Sequence, residues 1–211
     1  ELAAMEMNRP IRNPAAAREY LKPLRESERA LVRMIGELAL LKIECISTDE
    51  IARAELDRVF EIVPDTLEAD LVMSQRGLIE MSKSPPCSGL NPEILADYLS
   101  AWLERVPQPE SLQLKARLRL EIAEIYYDVG RYEDALAQAQ LALTSGLSPA
   151  QLGLLMASLY VELDEFTKAS KMLHEIEAGL DPGDGRSLRR FEELRDAIRI
   201  AREAETAKNN G

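Results

Sequence analysis

An internal repeat of 34 residues is the feature that most constrains the fold of this chain. Two small and two aromatic residues recur at this spacing, and the pairs are Ala123 with Ala157, Tyr126 with Tyr160, Tyr132 with Phe166, and Ala135 with Ala169. A period of this length is typical of stacked helical units that bury their apolar faces against one another. The small residues predict points where two helices cross closely, because only short side chains permit that approach.

Residues 122–143 carry the repeat in its clearest form, as IAEIYYDVGRYEDALAQAQLAL. A small residue and an aromatic lie on a first helix, a Gly-x-Tyr turn follows, and spaced alanines mark a second helix. This pattern resembles the tetratricopeptide repeat. The resemblance implies an all-α fold, a right-handed α-α superhelix of about four helix pairs plus a C-terminal capping helix. It is clear over residues 112–179 and weaker upstream, where Ala52, Leu56, Val59 and Pro64 match a second helix.

Breaker residues predict the domain organisation. We expect an N-terminal arm or short helix over residues 1–23, the helical repeat domain over residues 24–180, and a capping helix with a frayed tail over residues 181–211. The predicted tail frays from Ala207. An apolar stripe on the capping helix supports its assignment as an amphipathic helix; its residues are Leu188, Phe191, Leu194, Ile198 and Ala201.

Helices are also predicted in the first half of the chain, over residues 24–46, 64–82 and 92–106. Residues 47–50 have the capping-box pattern, which predicts a helix start. Proline, serine and glycine cluster at residues 84–92, and we expect an insertion there.

The charge balance argues against a nucleic-acid partner. The chain has 37 acidic and 26 basic residues, a net charge of -11, which repels a phosphate backbone unless the basic residues share one face. The arginine-dense segment 186–202 interleaves its arginines with carboxylates, so we interpret it as a solvated helix.

The sequence has no motif typical of catalysis or of cofactor binding. His174 is the only histidine, and we expect it to be a partly exposed structural residue. Phosphate-binding loops, nucleophile elbows and Cys-x-x-Cys pairs do not occur. Residues 183–185, Gly-Asp-Gly, are interpreted as a helix terminator. We therefore expect no cofactor, no metal ion and no enzymatic activity, with an autonomous hydrolase or transferase as the least favoured class.

Two cysteines, Cys45 and Cys87, leave two possibilities open. Either both are free thiols, one buried and one in a loop, or they form a single bridge that requires an oxidising compartment. No stretch approaches the roughly 18 apolar residues of a membrane span. Because the first residue is Glu, we expect an excised or processed part of a longer protein, cytoplasmic, or periplasmic if the rest is membrane-anchored.

The resemblance implies a concave groove lined by the first helix of each pair. The expected binding residues are Arg117, Glu121, Glu124, Tyr127 and Asp128, followed by Gln151, Leu155, Ser158 and Glu162. An acidic peptide tail needs cationic or amide donors, and the corresponding positions carry Leu120, Glu124 and Ser158. We therefore expect a protein or peptide partner that is basic or apolar rather than acidic.

Two functional hypotheses follow. The favoured one is a protein–protein interaction or scaffolding module. The alternative is an extracytoplasmic accessory domain of a bacterial membrane protein in cell-envelope polysaccharide assembly. It rests on the degenerate early repeats and the insertion at residues 87–93, which look similar to soluble tails of such proteins. A membrane would then be contacted only through segments outside this chain.

Overall fold

A computed structural model describes residues 13–47, 53–63, 75, 77–80, 89–106 and 112–209. The described residues contain helices and turns but no strand, which confirms the all-α class. The helices with full bounds are α1 (Pro14–Arg25), α2 (Ala30–Ser47), α3 (Arg53–Ile62), α4 (Pro92–Arg105), α5 (Leu112–Asp128), α6 (Tyr132–Thr144), α7 (Pro149–Glu162), α8 (Phe166–Glu177) and α9 (Gly185–Asn209). Residues 77–80 are also helical.

The chain divides into two compact units, Glu1–Leu114 and Lys115–Gly211, with the division inside α5. The domain boundaries expected near residues 23 and 180 stay predictions. The capping-box residues 48–50, most of the helix expected over 64–82 and most of the insertion expected over 84–92 lie outside the described residues.

An antiparallel helix pair, α1 and α2, opens the first unit. Asn13 caps α1 by accepting a hydrogen bond from the amide of Ala16 at 3.1 Å, and Pro14 occupies the first turn, where a missing N–H costs nothing. Arg18 pairs with Glu44 at 2.7 Å, near the other end of the pair from α2's start. The expected helix over residues 24–46 was therefore wrong at its beginning, because residue 24 belongs to α1 and α2 starts only at Ala30.

A buried carboxylate, Glu37 on α2, joins three helices of the first unit. It accepts from Arg25 of α1 at 2.8 Å and pairs with Arg58 of α3 at 3.1 Å. Because its side chain is only 9% exposed, the two guanidiniums offset its desolvation. This network fixes how α1 and α3 lie on α2.

Helices α3 and α4 complete the described part of the first unit. The rings of Phe60 and Tyr98 lie 5.3 Å apart, and the Tyr98 hydroxyl donates to Asp57. This hydrogen bond raises the pKa of Tyr98. Trp102 of α4 is fully buried, and α4 spans Pro92–Arg105, in agreement with the helix expected over residues 92–106.

Cys45 lies near the end of α2, is 2% exposed and takes part in a disulfide bond. The free-thiol alternative is therefore wrong for this cysteine. The other cysteine of the sequence, Cys87, lies outside the described residues.

The 34-residue repeat of the sequence recurs in the backbone of the second unit. Helices α6 and α8 start 34 residues apart, at Tyr132 and Phe166. Gly130 and Asp164, also 34 apart, both have positive φ, +79° and +58°. The hydrogen bonds of the two turns match as well: Arg131 N to Tyr126 O at 2.8 Å corresponds to Glu165 N to Tyr160 O at 2.7 Å. Each pair, α5–α6 and α7–α8, is thus the same helical hairpin.

Small residues line the helix contacts of these hairpins, as the sequence predicts. Ala123, Ala135, Ala157 and Ala169 are all fully buried. Within the second hairpin, Gly153 of α7 lies against Ile176 of α8, so tightly that a Cβ at this glycine would lie 2.3 Å from Cγ2 of Ile176.

Helix α9 packs on both α7 and α8. Asp184 caps it, accepting from the amides of Arg186 and Ser187 at 3.1 and 3.2 Å and from the Ser187 hydroxyl at 2.6 Å. These hydrogen bonds hold the pKa of Asp184 below its usual range, chiefly through the Ser187 hydroxyl. Asp184 therefore starts a helix rather than ending one, and α9 continues past the expected fraying point at Ala207 to Asn209.

Candidate interaction surface

The expected groove residues lie on α5 and α7, which are the first helices of the two hairpins. Arg117, Glu124, Asp128 and Glu162 are exposed, whereas Glu121, Tyr127 and Leu155 are half-buried. Ser158 is buried, with 4% of its surface exposed. Gln151 is in α7, but its side chain lies outside the described part of the structure. We call the surface formed by these residues the α5–α7 face.

An arginine of α9 reaches into this face and contacts both first helices. The Arg190 guanidinium donates to the Tyr127 hydroxyl at 3.1 Å and to the Ser158 hydroxyl at 3.0 Å. Ser158 in turn donates to the carbonyl of Leu154 at 2.8 Å, so its hydroxyl acts as acceptor and donor at once. Arg190 also lies 3.6 Å from Glu193 of its own helix. One side chain thus ties α5, α7 and α9 together.

Two tyrosines and a carboxylate form the neighbouring part of the α5–α7 face. The rings of Tyr127 and Tyr132 are 5.7 Å apart and tilted. The pKa of Tyr132 is raised, first by the negative charge of Glu162 and then by burial, by Tyr127 and by a hydrogen bond with Glu162. The end of α7 therefore lies beside the start of α6, and the phenol of Tyr132 stays protonated there.

The structure brings together some of the expected residues and separates others. Tyr127, Ser158 and Glu162 belong to one connected cluster. Arg117 lies ten residues before Tyr127 on α5, about 15 Å away along the helix axis at 1.5 Å per residue. It belongs to the far end of the face.

Arg190 and Tyr132 were missing from the expected set. Arg190 stands in the arginine-dense segment that we interpreted as solvated, and this interpretation was wrong for Arg190, which is half-buried. It holds for its neighbours: Arg195 pairs with Glu192, and Arg199 pairs with Asp196 and Glu203 on the surface of α9. Tyr132 was assigned only to packing.

The charge on the α5–α7 face is mainly negative. Glu121, Glu124 and Asp128 of α5 and Glu162 of α7 supply four carboxylates, against the guanidiniums of Arg117 and Arg190. Such a surface favours cationic or amide-bearing groups over anions. It offers tyrosine hydroxyls and carboxylates as hydrogen-bond acceptors, and Leu155 as apolar surface.

Three findings limit the chemistry further. Among the residues that the structure describes, no three His, Cys, Asp or Glu side chains are grouped so that they could hold a metal ion. His174 is 89% exposed on α8, and none of the described helices is long and apolar enough to cross a membrane. In comparisons with models of known protein families, with curated proteins and with solved structures, the chain matches none.

Proposed function

We propose that this chain is a protein–protein interaction module of the tetratricopeptide kind, rather than an enzyme, and that it binds a cationic segment of a partner protein on the α5–α7 face. In this proposal the helical hairpins stack into a right-handed superhelix whose concave side contains that face. The repeated hairpin geometry supports the family assignment. The observation that carries the binding proposal is the cluster of Tyr127, Ser158, Glu162 and Arg190.

Arg190 supports the partner chemistry because it is a guanidinium already bound by groups of this face. Its acceptors are two hydroxyls, with Glu193 beside it. Beyond this contact, Glu124, Asp128 and Glu162 are exposed and extend the acceptor surface along α5 and α7. A lysine or arginine of a partner would find the same kinds of acceptors there, in one line of first-helix positions.

Peptide binding to charge-reversed variants tests the proposal. We would measure fluorescence anisotropy with three peptides of equal length: one with Lys and Arg among Leu residues, one with Glu and Asp in their place, and one with Ser. The basic peptide is expected to bind most tightly. Glu124→Lys combined with Asp128→Lys should weaken its binding about tenfold, since charges at an interface contribute at this scale.

The matched control reverses two exposed carboxylates on second helices, Glu133→Lys with Glu175→Lys. It changes the net charge of the chain equally but leaves the α5–α7 face intact. Equal loss of affinity in both double variants would mean that only the overall charge matters. Either that result or preferential binding of the acidic peptide would refute the proposal.

A second candidate is that the module works outside the cytoplasm, as an accessory part of a bacterial membrane protein in cell-envelope polysaccharide assembly. The specific observation in its favour is the disulfide bond of Cys45, since disulfides persist mainly in oxidising compartments. Thiol alkylation in intact cells of the source organism, before any reductant is added, tests it. Modification of Cys45 in the native protein would exclude this candidate.

A further inference from the structure

A groove between α8 and α9 forms a second surface of the Lys115–Gly211 unit. Its volume is about 760 Å³. The floor consists of Leu173 from α8 with Phe191 and Ile198 from α9, each 4–5% exposed. We call it the α8–α9 groove. Arg190 and Arg199 are nine residues apart on α9, which is two and a half turns, so the groove and the α5–α7 face lie on opposite sides of this helix.

Three arginines form one edge of the groove. Arg195, Arg199 and Arg202 line it from α9 at the spacing i, i+4, i+7, which places them in one row along the helix. The carboxylates that line the groove are Glu177 and Glu203. The groove therefore carries a local excess of positive charge, although the chain as a whole has a net charge of -11.

The existing partners of these arginines leave them able to bind a ligand. Arg195 pairs with Glu192, and Arg199 pairs with Asp196 and Glu203, all on the exposed surface of the same helix. Exposed pairs of this kind contribute little and exchange readily. A guanidinium also offers five N–H donors in a planar fork, so it can bind a carboxylate of a partner in two-point contact while it keeps a local neighbour.

The shape of the groove fits a helix. Phe191 and Ile198 are seven residues apart, two turns of α9, so the floor repeats at about 10.5 Å, the distance between residues i and i+7 of a docking helix. From Phe191 to Ala207 the groove follows about 24 Å of α9 at 1.5 Å per residue. This length corresponds to roughly four turns of a partner helix.

We infer that the α8–α9 groove binds one amphipathic helix of a partner protein, with its apolar stripe on Leu173, Phe191 and Ile198 and with acidic residues facing the arginine row. The charge of the row, opposite in sign to that of the whole chain, selects an acidic helix and disfavours the basic segment proposed for the α5–α7 face. This inference is independent of the proposed function, because the two sites use different sides of α9.

The test uses two synthetic helical peptides with the same leucine stripe, one flanked by Glu and one by Lys, with binding to the full chain followed by fluorescence anisotropy. The Glu-flanked peptide is expected to bind at least about tenfold more tightly. Arg195→Glu with Arg199→Glu should remove this preference. The control, Arg186→Glu with Arg189→Glu, changes the same number of exposed arginines on the same helix outside the groove lining and should leave binding unchanged.

A steric variant keeps the test decisive if charge reversal disturbs α9. Ser170 is half-buried in the groove lining, and Ser170→Trp should fill the groove and abolish binding of the Glu-flanked peptide. Far-UV circular dichroism checks that the variant is folded. Binding of the basic peptide to the α5–α7 face should be unaffected by this variant, so failure of one proposal is distinguishable from failure of the other.

Two results would overturn the inference. The first is equal affinity for the Glu-flanked and Lys-flanked peptides. The second is dimerisation of the chain, measured by sedimentation, that Ser170→Trp abolishes, because a second copy of the chain would then occupy the groove.

Discussion

The contact between Gly153 and Ile176 predicts that Gly153→Ala destabilises the protein, although alanine is the better helix former. The added Cβ would lie 2.3 Å from Cγ2 of Ile176 and 3.1 Å from its Cδ1. Carbon atoms in favourable contact are about 3.5–4.0 Å apart. Ile176 is 1% exposed and β-branched, so its side chain has little freedom to turn away.

Two opposing effects set the magnitude. Replacement of glycine by alanine inside a helix stabilises by about 1 kcal/mol. Overpacking of a buried contact typically costs about 1–3 kcal/mol, and an overlap of more than about 1 Å belongs at the upper end of that range. We therefore expect Gly153→Ala to lower the free energy of unfolding by about 1–2 kcal/mol.

The same substitution should change sign when the isoleucine is shortened. Ile176→Ala removes Cγ2 and Cδ1, and the nearest remaining atom is Cβ of residue 176 at 3.3 Å. In that background Gly153→Ala should stabilise the protein by about 0.5–1 kcal/mol, because the helix-propensity gain remains and part of the cavity is filled. The coupling between the two positions is then about 2 kcal/mol.

Urea unfolding followed by far-UV circular dichroism measures all four members of this double-mutant cycle. Gly77→Ala is the control, since Gly77 lies in a helical segment and a Cβ there meets nothing within 4 Å. That variant should be stabilised by about 0.5–1 kcal/mol. A stabilising effect of Gly153→Ala in the wild-type background, or strict additivity with Ile176→Ala, would show that α7 and α8 do not approach each other in this way.

Three further predictions concern other positions. Gly130→Ala should lower the free energy of unfolding by about 1 kcal/mol, whereas Asp164→Gly should leave it unchanged or raise it slightly in the same urea assay, since both positions have positive φ. Glu37→Gln should cost about 2 kcal/mol, because its two arginine partners lose a buried carboxylate. The lowered pKa of Asp184 gives a stability contribution that is present above pH ~4 and lost as pH falls through the folded pKa; Ser187→Ala should raise that pKa in a carboxyl NMR titration.

The second unit was predictable because its two hairpins repeat the same local requirements. A position of positive φ needs Gly or a residue such as Asp that tolerates it, and Gly130 and Asp164 meet this need 34 residues apart. The crossing helices need small residues, and alanines occupy them. Since each hairpin closes through contacts within about 45 residues of sequence, the period alone was enough to place helices α5 to α8.

The start of the chain was less predictable because proline has two opposite meanings. Asn13-Pro14 was interpreted as a break, yet an asparagine cap followed by proline in the first turn is also how a helix begins. Pro23 lies inside α1, two residues before its end at Arg25, although proline in a helix interior normally ends it. The contacts of α1 with α2, including Arg25 with Glu37, connect residues that local patterns do not relate.

The role of Arg190 could not be read from the sequence, because its neighbours Arg189, Glu192 and Glu193 form the same alternating pattern as the rest of α9. Only the packing of α9 on α7 decides which arginine reaches Ser158 and Tyr127. That contact also restricts the proposed partner. Because Arg190 already occupies the buried hydroxyl of Ser158, a cationic side chain of a partner must bind at the exposed carboxylates Glu124, Asp128 and Glu162, toward the outer part of the α5–α7 face.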